Sequence, residues 1–203
     1  MKKVAYLLEF IFIKILFTLF QLIGYQLSSN LGFFIGRTIG PIFRSKKMII
    51  QNLEKANIKH PHNPSKIASN VLGNYGRIFA EYVYLKKFRN NELKKYVSID
   101  GLEHLKNLKK NKKKAVFVSG HFNNFELMAM EIEKAGIELA AIYRPLNNIF
   151  LNKTMEKIRK ENICKNQIKK GKAGSREIIK NLIKGKSIAL MIDQRVREGE
   201  KVN

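Results

Sequence analysis

The sequence predicts an α/β fold, a mainly parallel sheet flanked by helices, preceded by an N-terminal membrane-associated helix. Three observations carry this prediction. An apolar stretch without charge runs from Ile15 to Gly36. From Tyr96 onward, short apolar runs alternate with amphipathic segments, the pattern of strands joined by helical crossovers. A glycine-containing junction, Ser119-Gly120-His121, sits where the first of those runs gives way to a helical pattern.

The N-terminal stretch is long enough to cross a hydrocarbon core, which needs about 20 mostly apolar residues in a helix. Its polar members Gln21, Gln26, Ser28, Ser29 and Asn30 are costly in hydrocarbon. A tilted span from about Phe10 to Leu27 therefore competes with a helical hairpin lying in the interface. The run exceeds the h-region of a cleaved signal peptide, about 7 to 15 residues, and lacks an A-x-A-like site. A buried helix of a soluble protein is the competing structural explanation. Arg37, Arg44, Lys46 and Lys47 follow the apolar run, against Lys2 and Lys3 before it. That asymmetry predicts that the rest of the chain faces the cytoplasm.

Residues 60 to 64, His-Pro-His-Asn-Pro, break one helical stretch, and a second amphipathic stretch runs from about Ser65 through Tyr84. His60 and His62 each adjoin a proline with no acidic or thiol ligand at suitable spacing, so no metal role is assigned to them. The single cysteine, Cys164, excludes an internal disulfide and any Cys-based zinc motif.

Strands are expected over Ala115–Ser119, Glu138–Tyr143 and Ser187–Ile192. Helices are expected over about Asn124–Ala135, Ile149–Glu161 and Ser175–Lys184, the last closed by Gly185. The chain thus divides into an anchor (1–40), a helical segment (41–95) and an α/β domain (96–203). With Asn203 following the last strand so soon, the α/β domain is expected to be incomplete, because a parallel sheet needs both faces covered.

The net charge of +23, from 39 Lys+Arg against 16 Asp+Glu, favours anionic partners. A coding bias toward Lys, Ile and Asn is a competing source of the excess. Because the basic cluster directly follows the apolar run, a membrane is expected as partner and nucleic acid is not.

The chemistry concentrates in Ser119-Gly120-His121-Phe122-Asn123-Asn124-Phe125-Glu126. His121 is placed at the carboxyl end of a strand, where open α/β sheets bind ligands. Glu126, on the following helix, is close enough in sequence to fold back toward the imidazole, fix its tautomer and stabilise the imidazolium. A histidine so held serves as a general base. Neither Ser119 nor Cys164 is placed as a nucleophile, so an acceptor hydroxyl attacking an activated acyl group directly fits better than an acyl-enzyme. By itself, H-x4-E also fits a histidine at a helix cap.

The motifs that follow are Tyr143-Arg144-Pro145-Leu146-Asn147-Asn148, then Arg159, Gly174 and Asp193-Gln194. In this order the chain resembles the bacterial lipid A late acyltransferases, the lauroyl and myristoyl acyltransferase family. The resemblance covers essentially the whole chain, including the anchor and Asn52-Leu53 with Ala56. It implies a glycerolipid-acyltransferase-like fold and a catalytic pair, His121 and Glu126. It further implies that Arg144 binds an anionic substrate or polarises the acyl carbonyl, and that Asn124, Asn148, Arg159 and Asp193 support the substrate site. Acyl carrier protein would be the donor and an anionic glycolipid the acceptor, with no cofactor or metal, since a thioester already carries the activation. The family usually has Gly-Asn-Trp where this chain has Asn123-Asn124-Phe125, and it continues beyond Asp193-Gln194 with further strands and helices. Structural alternatives stand beside these roles: a loop anchor for Arg144, a helix cap for Asn148, a solvated face for Arg159 and a turn for Asp193. The rivals are a glycerophosphate-type acyltransferase, which pairs the histidine with aspartate, and a non-catalytic membrane adaptor that binds anionic lipid or nucleic acid through its lysines.

Overall fold

The computed structural model describes residues 2–56 and 63–193; His60, His62 and Gln194 lie outside them. The chain forms two compact units, Met1–Leu85 and Lys86–Asn203.

In the first unit, α1 (Lys2–Ile23) and α2 (Tyr25–Phe43) are separated by Gly24 at φ +81°, a backbone conformation that glycine adopts without a Cβ penalty. A continuous span from Phe10 to Leu27 does not form, because the helix ends at this glycine. Among the described residues α1 alone is long and apolar enough to cross a membrane. Its 22 residues correspond to about 33 Å of helix. Val4, Leu8, Phe12, Leu19 and Leu22 are all exposed along it.

Ser28 and Ser29, the expected liabilities in hydrocarbon, are buried and hydrogen-bonded inside this unit. The Ser28 and Tyr84 hydroxyls both reach the Phe20 carbonyl oxygen, Ser28 Oγ at 2.6 Å, and lie 2.9 Å from each other, so their two protons serve three contacts. Phe20 lies in the last turn of α1, where backbone acceptors run out of intrahelical donors, so these hydroxyls close the helix end. Ser29 Oγ donates to Glu81 at 2.7 Å.

The chain continues through α3 (Lys46–Lys55) and α4 (Pro64–Glu81). Asn63 caps α4 by accepting the Ser65 N–H, with Pro64 at the first helical position, where its missing N–H costs nothing. Helices α2 and α4 meet backbone to backbone. A Cβ at Gly76 would lie 2.1 Å from the Gly32 carbonyl oxygen, and one at Gly36 2.4 Å from the Leu72 carbonyl oxygen. Small residues four apart permit this approach.

The second unit begins within α5 (Leu85–Arg89) and contains α6 (Leu102–Lys110), β1 (Val116–Ser119), α7 (Glu126–Lys134), β2 (Leu139–Tyr143), α8 (Ile149–Asn162), β3 (Asn166–Lys169), α9 (Lys172–Ile183) and β4 (Ser187–Met191). Among the described residues the sheet is four-stranded and wholly parallel, in the order β1-β4-β2-β3. The fold is α/β, as expected. The three expected strands and three expected helices all form. Strand β3 was not foreseen, because Asn166-Gln167-Ile168-Lys169 buries only Ile168 fully and has no apolar run to announce it. Ala140, Ile168 and Ile188 centre the core, with Ile142, Ile178, Leu182 and Leu190 packed on them. Gly185, at φ +87°, ends α9: its N–H bonds the Leu182 carbonyl and the Lys186 N–H bonds that of Asn181, the paired closure typical of a glycine stop.

Candidate active site

Strand β4 lies between β1 and β2, in register with β1 so that Ser119 pairs with Met191. The residues that leave these two strands at their carboxyl ends are therefore neighbours, although far apart in sequence. His121 follows β1 and Asp193 follows β4, and they meet. Asp193 Oδ1 lies 2.7 Å from His121 Nδ1, and Asp193 Oδ2 accepts the His121 backbone N–H at 2.7 Å. Gly120 leaves room for this contact, since a Cβ there would sit 3.3 Å from Asp193 Oδ2 and 2.8 Å from the Phe122 ring.

The backbone N–H of His121 and then its ring hold the Asp193 carboxyl below the usual carboxylate range, against a smaller opposing effect of burial. An ionised Asp193 accepts from Nδ1–H, and in the neutral ring this leaves the lone pair on Nε2. Phe125 packs edge-on against the imidazole, with centroids 4.6 Å apart and planes at 72°.

The two departures from the family pattern at this turn have physical explanations. Asn123 stands at φ +40°, a left-handed conformation that glycine accepts freely and asparagine tolerates better than most residues. Phe125 keeps an aromatic ring against His121 where the family usually has tryptophan.

Glu126 is the first residue of α7 and is buried. Its Oε1 accepts two hydrogen bonds from Arg159, at 3.0 Å from Nε and 2.7 Å from Nη2. The expectation that Glu126 fixes the tautomer is met at Nδ1 by a different carboxylate, Asp193. Sequence reasoning had given Asp193 only a supporting place, because nothing in a single chain shows that β4 lies beside β1.

His121, Glu126, Tyr143, Arg144 and Arg159 line one cavity of about 420 Å³, whose apolar wall includes Met128, Ile142, Ile163, Ile168 and Ile178. Lys169 and Lys170 also line it and were not anticipated, since they belong to the unforeseen β3 and its exit. Arg144 is exposed at this cavity. Asn148 is buried and caps α8, accepting the backbone N–H groups of Phe150 at 3.0 Å and Leu151 at 3.1 Å, the cap role weighed for it from sequence. Asn124 is half-buried in the His121 turn, its carbonyl accepting the Leu127 N–H.

The arrangement is an α/β site at the carboxyl ends of parallel strands, with a carboxylate-bound histidine, a second carboxylate paired to arginine, and an apolar cavity edged by cations. The model of the family described as bacterial lipid A biosynthesis acyltransferase matches residues 1–203, so the chain belongs to that acyltransferase family. The comparison with curated proteins returns no match.

Proposed function

We propose that the protein transfers a fatty acyl chain from acyl carrier protein to a hydroxyl of a lipid A precursor, with His121 as general base and no covalent acyl-enzyme. The observation that carries this reading is the double contact of Asp193 with His121 at the cavity that Glu126 and Arg159 also line.

Nε2 takes the proton of the acceptor hydroxyl as its oxygen attacks the thioester carbonyl. The new C–O bond forms, and the carbonyl electrons move to the oxygen. Collapse of the tetrahedral intermediate breaks the C–S bond, and the imidazolium returns its proton to the leaving thiolate. Asp193 and Glu126, which lines the same cavity, favour the transient imidazolium, because a carboxylate nearby stabilises the protonated ring. Arg159 holds Glu126 in place. Arg144, Lys169 and Lys170 supply positive charge for the phosphates of the acceptor and for the acidic donor protein. The apolar wall, Ile142 and Ile168 included, receives the acyl chain. Asn148 supports the site by fixing the start of α8, the helix that carries Arg159, and Asn124 belongs to the turn that presents His121. Helix α1 attaches the protein to the inner membrane, with the α/β unit on the cytoplasmic side.

The test is acyl transfer to a tetra-acylated lipid A precursor by membranes holding the wild-type chain or its His121→Ala variant. Product from the wild type and none above background from the variant is the expected result. Equal product from both would exclude His121 as the base and favour a non-catalytic lipid-binding role.

A further inference from the structure

Tyr143 ends β2 and lines the same cavity as His121, yet the mechanism above gives it no task. Its ring and its hydroxyl are engaged in different directions. The Arg159 guanidinium carbon lies 5.8 Å from the ring centroid, within the range of a cation–π contact. The hydroxyl donates a short hydrogen bond to Glu156 Oε1. That oxygen also accepts from Asn152 Nδ2 at 2.9 Å and lies 3.5 Å from Lys169 Nζ.

We infer that Tyr143, pinned by Glu156, is a positioning residue: its ring fixes the Arg159 guanidinium so that both Arg159 donors converge on one oxygen of Glu126. The inference rests on the functional reading above and extends it to two residues outside the proposed catalytic set. The geometry explains why both partners are needed. Glu156 and Arg159 lie one turn apart on α8, so their side chains share a face. The strand end supplies Tyr143 from outside that helix, clasping the face at two points. Burial and the neighbouring Glu156 push the phenol pKa up, and the phenol in turn holds the Glu156 carboxyl below its usual range. Donor and acceptor thus keep one fixed sense at neutral pH. A planar guanidinium can direct Nε and Nη2 to a single oxygen only while its plane is held.

The test is a double-mutant cycle between Tyr143→Phe and Arg159→Lys, read as kcat and KM in the acyl-transfer assay and as the midpoint of urea unfolding. Tyr143→Phe, which keeps the ring and loses the pin, is expected to lower kcat about tenfold with KM little changed, the pattern of a lost transition-state interaction. Adding Tyr143→Phe to Arg159→Lys should cost less than about a further twofold, because the phenol then has no ordered guanidinium to hold. Glu156→Gln, which retains an oxygen for the phenol, should recover most of the activity that Glu156→Ala loses.

Independent effects that multiply, or wild-type kcat in Tyr143→Phe, would overturn the positioning role. His121→Ala in the same series separates the two readings. If it stays active the general-base reading falls, whereas an inactive His121→Ala beside a fully active Tyr143→Phe removes only the positioning role. Should the wild type not turn over, the unfolding cycle decides: coupled midpoints support the clasp and additive midpoints overturn it.

Discussion

Both oxygens of Asp193 are committed to His121, one to the ring nitrogen Nδ1 and one to the backbone N–H, each at 2.7 Å. A carboxylate that grips the ring and its own peptide fixes where the imidazole points as well as which nitrogen carries the proton. The grip depends on the crossover that sets β4 beside β1.

Replacing Asp193 with Asn should therefore damage catalysis while leaving the fold. An amide can accept the backbone N–H, but its N–H₂ group facing Nδ1 favours the wrong tautomer. A fall in kcat of about 10²- to 10⁴-fold is expected, the scale seen where a histidine base loses its orienting aspartate. Steady-state acyl transfer by Asp193→Asn, with circular dichroism to verify folding, checks it.

The same carboxylate makes stability depend on pH. Its pKa is lower in the folded chain than in the unfolded one, so its contribution is present in full above the unfolded value of about 3.9. That contribution is lost as pH falls through the folded value. The stability difference between wild type and Asp193→Asn should thus shrink as pH falls below about pH 4. Urea unfolding across that range measures it.

Glu126 and Arg159 form an ion pair with side chains 9% and 16% exposed. Removing the carboxylate leaves a largely buried cation without this partner, so Glu126→Ala should lose about 3 kcal/mol of stability. Chemical denaturation is the measurement. Replacing the exposed Lys157, whose contact with Glu161 is 3.8 Å long and open to solvent, should change stability by less than about 0.5 kcal/mol.

In the N-terminal unit, Gly76→Ala would place a methyl group 2.1 Å from the Gly32 carbonyl oxygen. Backbone atoms cannot rotate away as a side chain does, so α2 and α4 must separate. A loss of about 2 kcal/mol or more is expected, the cost of overpacking a tight contact. The melting temperature of the variant in detergent checks it.

The exposed apolar surface of α1 supports the membrane attachment proposed for it. The double change Phe12→Lys with Ile15→Lys should move the protein from the carbonate-resistant membrane fraction toward the soluble one, since each lysine near the middle of a span costs about 2.5 to 3.5 kcal/mol.

What was legible in the sequence follows the range over which each signal acts. Val116-Phe117-Val118 and Ile188-Ala189-Leu190-Met191 read as strands because burial leaves a local apolar run, and Gly185 read as a stop because the left-handed turn needs glycine there. The break at Gly24 went unread: one glycine in an apolar run does not show that Ser28 and Tyr84 will close the helix end from elsewhere in the unit. His121 and Glu126 were legible as a spacing. The partners each takes in space were not, because Asp193 and Arg159 arrive on elements whose order in the sheet and packing a single chain does not encode locally. Asn123 and Phe125, read as departures from the family pattern, become intelligible once the backbone angle and the ring contact are known.

The most direct test follows labelled acyl groups from acyl carrier protein through a single turnover with the lipid A precursor, in the wild type and in His121→Ala. General-base catalysis by His121 predicts that label passes to the glycolipid without accumulating on the protein, and that the variant transfers none above background. Label trapped covalently on the protein, or transfer by the variant at the wild-type rate, would contradict it.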